Sequence, residues 1–319
     1  MKRIKSKIST KYNVSVILVM AGFLAALVSC EDQIDPVLEE APPQLVVDAW
    51  LNNQLTGQTV RLTRTRPYFN QGQPEGVTGA SVIVTDDQGK QFTFIDQNNG
   101  SYGWSPFQDN MVLGEVGSTY QLRIELNGVT YSAESTLNPV PTIDSITFRF
   151  EEKDFIFPDS YWAEFWSRDL IGVGNTYWIK SYKNGMYLSN PDEINIAFDA
   201  GFSEGGNIDG LYFIPPIRDL VNPIDEAPDD TFLSPFADGD SVFVEINSIS
   251  NEAFIFLNEM ALQINRPGGF AELFATPLAN VPTNISSSDP NEAVLGFFNV
   301  SAVEGLGKRL NTDEVTRTN

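Results

Sequence analysis

Histidine is absent from these 319 residues, cysteine occurs once, and basic side chains are scarce. There are 20 Lys and Arg against 42 Asp and Glu, a formal net charge of −22 at pH 7. Without histidine there is no imidazole base, no imidazole metal ligand and no Ser-His-Asp or Cys-His device. A single thiol excludes an internal disulfide, a zinc ribbon and a dithiol redox pair. The acidic balance argues against nucleic acid as a partner, because phosphate binding needs a basic face. With 42% hydrophobic and 19% charged residues, the chain can still bury a core, and its length suggests about two domains.

What basic charge there is gathers at one end. Residues 1–29 hold Lys2, Arg3, Lys5, Lys7 and Lys11 and no acid. An apolar run follows from Val14 to Val28, shorter than the roughly 20 residues of a spanning helix. A basic stretch and a short apolar run are the pattern of a secretory signal peptide, so 1–29 is expected to be removed. The run ends Leu27-Val28-Ser29-Cys30, which resembles the lipobox of bacterial lipoproteins. The resemblance implies cleavage just before Cys30, diacylglycerol on its thiol and acylation of the new amine. Two or three acyl chains anchor stably where one binds only marginally. The competing reading is a free cysteine in an uncleaved anchor helix. Glu31, Asp32 and Asp35 come next and resemble the surface-export signal of Bacteroidota lipoproteins; the alternative is a plain solvated tether. Residues 30–43, with Pro36, Pro42 and Pro43, are expected to be an extended linker.

Over 44–138 the apolar residues recur with period two between regularly spaced turns. Thr59-Val60-Arg61-Leu62-Thr63 alternates, and Tyr120, Leu122, Ile124 and Leu126 share one strand face. Asp86-Asp87-Gln88-Gly89 and Asn98-Asn99-Gly100 mark turns. Asn127-Gly128 is a strong hairpin signal, because both residues tolerate the positive φ of a type I′ turn. About seven short strands without helical periodicity predict an immunoglobulin-like or transthyretin-like sandwich. Leu137-Asn138-Pro139-Val140-Pro141 suits neither strand nor helix, and a domain boundary is expected there.

The second domain, 144–319, is also expected to be β-rich. Ser145–Phe150, Tyr177–Tyr182 and Ser241–Ile246 read as strands, and Ala293–Val303 as the last strong one. Ser250 is a helix cap with Glu252 in the first turn. Ala253, Leu257, Met260, Ala261 and Ile264 then fall on one helical face, giving a single amphipathic helix stopped by Pro267-Gly268-Gly269. Residues 201–240, rich in Gly, Pro and acids, are expected to be long loops. The fold class is therefore mainly β, a sandwich followed by a β-rich domain with one helix.

Several stretches, in order, carry a family resemblance: "LVVDAWLNNQ", "VRLTRTRPY", "GASVIVTDDQG", "GSTYQLRIELNGVTYSAESTLNPVPTIDS", "VFVEINSISNEAF", "FATPLANVPTNI" and "VLGFFNVSAV". Together with the lipobox they resemble a Bacteroidota family known as domain of unknown function 4249, from about Cys30 to Val303. The resemblance implies an outer-membrane lipoprotein, facing the cell exterior, whose genes often neighbour those of TonB-dependent receptors. It implies an accessory part in uptake or surface binding and brings no catalytic residues with it.

The residues offer little catalytic chemistry. Paired carboxylates could hydrolyse glycosides, but pairing is a matter of distance in space. Ser-x-x-Lys does not occur, and without histidine the Gly-x-Ser-x-Gly match Gly201-Phe202-Ser203-Glu204-Gly205 has no imidazole base. Between Asn184 and Asn265 the only basic residue is Arg218, against 15 acids. Acidic, Gly-rich loops supply the oxygens that Ca²⁺ takes, which makes Asp209, in Asn207-Ile208-Asp209-Gly210, and the pair Asp238 and Asp240 candidate cation ligands. Solvated acidic loops that keep a surface protein soluble are the competing reading. Tyr161-Trp162-Ala163-Glu164-Phe165-Trp166 is either core or a surface for sugar rings or protein. Tyr68 and Phe69, in a long loop, are candidate binding residues. The reading is a lipid-anchored, non-catalytic binding or accessory module beside a TonB-dependent transporter, with no cofactor beyond the lipid and a structural Ca²⁺ left open. A carboxylate glycosidase and an adhesin or stalk are the alternatives.

Overall fold

A computed structural model describes residues 42–67, 70, 72–109, 113–153, 158–225, 232–266 and 279–315. From Pro42 onward the chain forms one compact unit, and it is mainly β. The first seven strands are β1 (Leu45–Asn52), β2 (Gln58–Arg64), β3 (Ser81–Asp86), β4 (Gln91–Asp96), β5 (Ser101–Trp104), β6 (Thr119–Leu126) and β7 (Val129–Thr136). They are followed in the chain by β8 (Ile143–Glu151), β9 (Ser160–Ser167), β10 (Thr176–Lys183), β11 (Met186–Tyr187), β12 (Asn195–Phe198) and β13 (Ser241–Ile249); β14 (Ser286–Ser287), β15 (Val294–Ser301) and β16 (Val303–Arg309) complete the set.

Alternation builds the first sheet. Alternate residues of β6 are buried, placing Tyr120, Leu122, Ile124 and Leu126 inside. Asn127 and Gly128 take φ of 51° and 84°, as the type I′ hairpin requires. The expected pair of stacked sheets is not what forms. The strands run as one nine-stranded sheet, β14-β7-β6-β3-β4-β5-β2-β1-β15. Its corner is β4, which pairs with β3 through Gln91–Phe94 and with β5 through Ile95 and Asp96. Because one strand serves both sides, the sheet bends without breaking and nearly closes into a barrel. Its core holds Val47, Leu62, Val84, Phe92, Tyr102, Leu122 and Phe298.

The seam lies between β7 and β15, and side chains close it. Val300 N donates to Ser135 Oγ at 2.9 Å. The Asn284 amide accepts from Phe298 N at 3.0 Å and donates to Phe298 O at 2.8 Å and to Glu134 O at 3.3 Å. A strand edge left with bare N–H and C=O groups invites pairing with other chains; here polar side chains occupy it.

The expected boundary after 138 does separate β7 from β8, but the chain then returns. β15 pairs in parallel with β1, from Leu45↔Val294 to Asn52↔Ser301. The split into 44–138 and 144–319 therefore does not divide the sheets, since β1 would otherwise present an open edge. Past Ala302 the same chain becomes β16 of a second sheet, ordered β11-β10-β13-β16, with β12 also on β10. Ser248 fastens this crossing. Its N–H donates to Ala302 O, its Oγ accepts from Ala302 N, and that hydroxyl donates to Asn138 O at 2.6 Å.

The remaining pieces are a β8–β9 ribbon and the helix Asn251–Ile264, capped by Ser250 Oγ accepting from Ala253 N as expected. The Tyr161–Trp166 run is β9, with Ala163 and Phe165 fully buried. The described part of 201–240 is mostly loop, broken by the short helix Pro215–Asp219. Among the described residues no helix is long and apolar enough to cross a membrane.

Candidate functional site

The outward face of β1 carries the first site. Leu45, Val47, Ala49 and Leu51 point into the barrel, so Val46, Asp48 and Trp50 point out. A solvent-facing side would ordinarily be polar, and here it is covered only in part. Helix Asn251–Ile264 brings Phe256, Leu257 and Met260 against it, β10 brings Trp178, and β15 brings Phe297, the partner of Asp48. Between them lies an open cleft of about 530 Å³, also lined by Arg61, Thr63, Gln73 and Pro74. That volume suits a small ligand. Trp50 stacks on Phe297 at 5.7 Å and meets Trp178 edge to face at 5.1 Å. Phe297 is 2% exposed, while Trp50, Trp178 and Phe256 are half-buried. Ring surface is thus held rigidly at the cleft. The Trp178 indole N–H is buried and has no hydrogen-bond partner among the described residues.

Charges of alternating sign border these rings. Arg61 faces Asp48 across β1–β2, and Lys180 faces Glu245 across β10–β13. Lys180 Nζ also sits 4.2 Å from the Trp178 ring centroid. Loss of hydration pushes the Asp48 carboxyl up, opposed by Arg61 and Lys180. Burial pulls the Lys180 ammonium down, opposed by Glu245 and Asp48. The row Arg61, Asp48, Lys180, Glu245 is therefore electrically balanced within a strongly acidic protein.

The second site is a trio of carboxylates. Asp169 follows β9, Asp199 follows β12, and Asp209 sits in the Asn207–Gly210 turn; their ligand oxygens lie within 4.8 Å of one another. Asp169 and Asp199 are 4% and 5% exposed. Backbone donors hold each one: Gly210 N to Asp169, Gly174 N and Asn175 N to Asp199, and Gly172 N to Asp209. Tyr177 donates its hydroxyl to Asp169 Oδ1 at 2.6 Å. Burial pushes the Asp169 carboxyl above its ordinary range; the Tyr177 and Gly210 bonds counter it, while Asp199 and Asp209 add to it. Among the described residues none of the three forms an ion pair. Three convergent carboxylates are donors for a hard cation such as Ca²⁺.

A model of the family described as domain of unknown function (DUF4249) matches residues 31–305. The chain belongs to this family. No curated protein matches it.

In this DUF4249 protein the other sequence candidates fall as follows. Cys30, Glu31, Asp32 and Asp35 lie outside the described residues, as do Tyr68 and Phe69. Of the three acids proposed as cation ligands, only Asp209 joins the trio. Asp238 accepts from Thr312 N and Oγ1. Asp240 accepts from Asn184 Nδ2 at 2.8 Å and Ala237 N at 2.9 Å, and lies 3.8 Å from Lys183 Nζ. Both are occupied in fastening turns. Arg218, alone among acids in its stretch, pairs with Glu164 at 2.6 Å and lies 4.0 Å from the Trp166 ring centroid. The aromatic cleft of this family member was not expected from the sequence. Its one local signal is the unbroken Leu45-Val46-Val47, apolar on both strand faces.

Proposed function

We propose that this protein is a lipid-tethered, non-catalytic binding module of the outer membrane, exposed on the cell surface and working beside a TonB-dependent transporter. The cleft is the observation that carries the binding role. It offers half-buried rings from β1, β10 and the long helix on a rigid scaffold, and rigid, partly open aromatic surface is what ligand sites are made of. The lipobox at Cys30 supports the tether, and the acids after it support export. The absence of histidine, which leaves the serine of the Gly-x-Ser-x-Gly match at 201–205 without an imidazole base, supports binding over chemistry. Purification in mild detergent from cells with an intact anchor is expected to recover an outer-membrane barrel with the protein. Repeated recovery of the protein alone would count against the transporter partnership.

The carboxylate trio supports a second, structural reading. A Ca²⁺ held by Asp169, Asp199 and Asp209 would tie the 169–175 loop to the turns at 199 and 209. Its weight rests on the absence of any ion-pair partner for these acids among the described residues.

A further inference from the structure

We infer that the cleft lined by Trp50, Trp178 and Phe256 takes an uncharged saccharide, a deepening that rests on this cleft being the molecule's binding site. The rings set one requirement. Trp50 is braced by Phe297 and Trp178, so the aromatic surface is fixed in place, and it calls for a ligand with a flat apolar face. The C–H face of a pyranose ring is such a surface, and rigid aromatic rings with a polar handle bind it at little entropic cost.

The charges set a second requirement. Arg61 and Asp48 line the cleft as a facing pair of opposite sign across β1–β2, and Lys180 and Glu245 form a second such pair across β10–β13 beside it. A ligand with net charge would meet a like charge beside each opposite one, whereas a neutral ligand meets no such penalty. The polar groups are also one-sided. A guanidinium and an indole N–H only donate, and a carboxylate only accepts. A hydroxyl does both, so one polyol can satisfy Arg61 and Asp48 together. A purely hydrocarbon ligand would leave the charged groups desolvated without partners.

Size agrees. The cleft's roughly 530 Å³ lies within the range of small-ligand sites. The larger trough along the outer edge of β7, about 880 Å³, is lined by Ser, Thr, Asn, Gln and Glu side chains and has no ring, so it lacks the stacking surface.

The test uses the mature chain with Cys30→Ser, intrinsic tryptophan fluorescence and calorimetry. The probes are maltotriose, cellotriose, xylotriose and mannotriose, with a trigalacturonate and a Phe- and Tyr-rich peptide as contrasts. At least one neutral trisaccharide is expected to bind saturably. Asp48→Asn and Arg61→Ala, both at exposed positions that leave the core intact, are expected to weaken it at least tenfold, as is Trp50→Phe. Tighter binding of trigalacturonate than of every neutral sugar overturns the neutral-ligand inference. Peptide binding that Arg61→Ala abolishes, with no neutral sugar bound, overturns the saccharide class but leaves the cleft as the binding site. No binding by any probe, together with unchanged barrel co-purification of the Asp48→Asn and Arg61→Ala variants, overturns both.

Discussion

Asn284 pairs with Phe298 as though it were a residue of a neighbouring strand. Its side-chain oxygen accepts from Phe298 N at 3.0 Å, and its Nδ2 donates to Phe298 O at 2.8 Å while also reaching Glu134 O. One amide side chain thus does at the barrel seam what a backbone ladder does elsewhere. Asn284→Leu removes all three bonds and leaves the Phe298 groups against a seam with no backbone replacement. Unsatisfied buried groups cost about 1–3 kcal/mol each, so the variant is expected to lose about 2–4 kcal/mol in urea unfolding. Hydrogen exchange at Phe298 should speed selectively; unchanged protection would show that the seam is held by other contacts.

Gly296 stands opposite Val47 in the parallel β1–β15 pair, with φ of 93°. A Cβ there would come within 1.9 Å of Val47 O, and backbone cannot move aside as a flexible side chain can. Gly296→Ala is expected to cost about 3 kcal/mol or more, because clash and left-handed backbone strain combine. Chemical denaturation checks it, with Gly239→Ala, at an equally positive φ but in open space, as the milder reference.

At the carboxylate trio, millimolar Ca²⁺ is expected to raise Tm by several degrees, and chelation to reverse the rise, as mass action requires of a ligand that binds only the folded state. Asp199→Asn should abolish the response, while Asp238→Asn, in its separate turn, should keep it. A Tm indifferent to Ca²⁺ would leave the trio as a hydrogen-bonded loop clasp.

Asp240 gives a pH signature of opposite meaning. Partial desolvation raises its carboxyl, but the Asn184 and Ala237 bonds with Lys183 and Arg309 outweigh it and hold the group below its ordinary range. A carboxyl depressed in the folded state contributes stability above its unfolded pKa, and that contribution is lost as pH falls through the folded value. Asp240→Asn should therefore cost about 0.5–1 kcal/mol at pH 7, with the gap to the unaltered protein closing as pH falls through and below the ordinary carboxyl range. A gap that persists at low pH would mean the loss is steric.

Cys30→Ser is expected to end labelling by a palmitate analogue and to stop processing at this site. Replacing Glu31, Asp32 and Asp35 with Ala should keep the protein membrane-bound but reduce its digestion by external protease. Undiminished digestion would show those acids to be tether alone.

Local features were legible in the sequence. The alternation of Tyr120, Leu122, Ile124 and Leu126, the Asn127-Gly128 turn and the Ser250 cap each act within a few residues, and each stands where its pattern put it. Pairing partners were not. Val294–Ser301 announces a strand, but nothing in its own residues says that it lies parallel to Leu45–Asn52. The run Tyr161–Trp166 hid β9 because its rings face both sides of the strand. Asp209 was visible beside its glycine, whereas Asp169 and Asp199 are single acids at strand ends, brought to it only by the return of the chain. The cleft needed distant segments to meet, so no local pattern marks Trp50 and Trp178 as its lining.

The pairing of β1 with β15 also sets an order of events in biogenesis. Val303 N bonds to the side chain of Asn53, 250 residues earlier in the chain. A chain translocated from its N-terminus first carries β1 as an open edge until nearly everything else has crossed. Such non-local closure is slow and exposes unpaired strand to aggregation. Exported as proposed, the protein is expected to depend on a periplasmic holdase. A version ending before Val294 should aggregate although it retains eight strands of the first sheet.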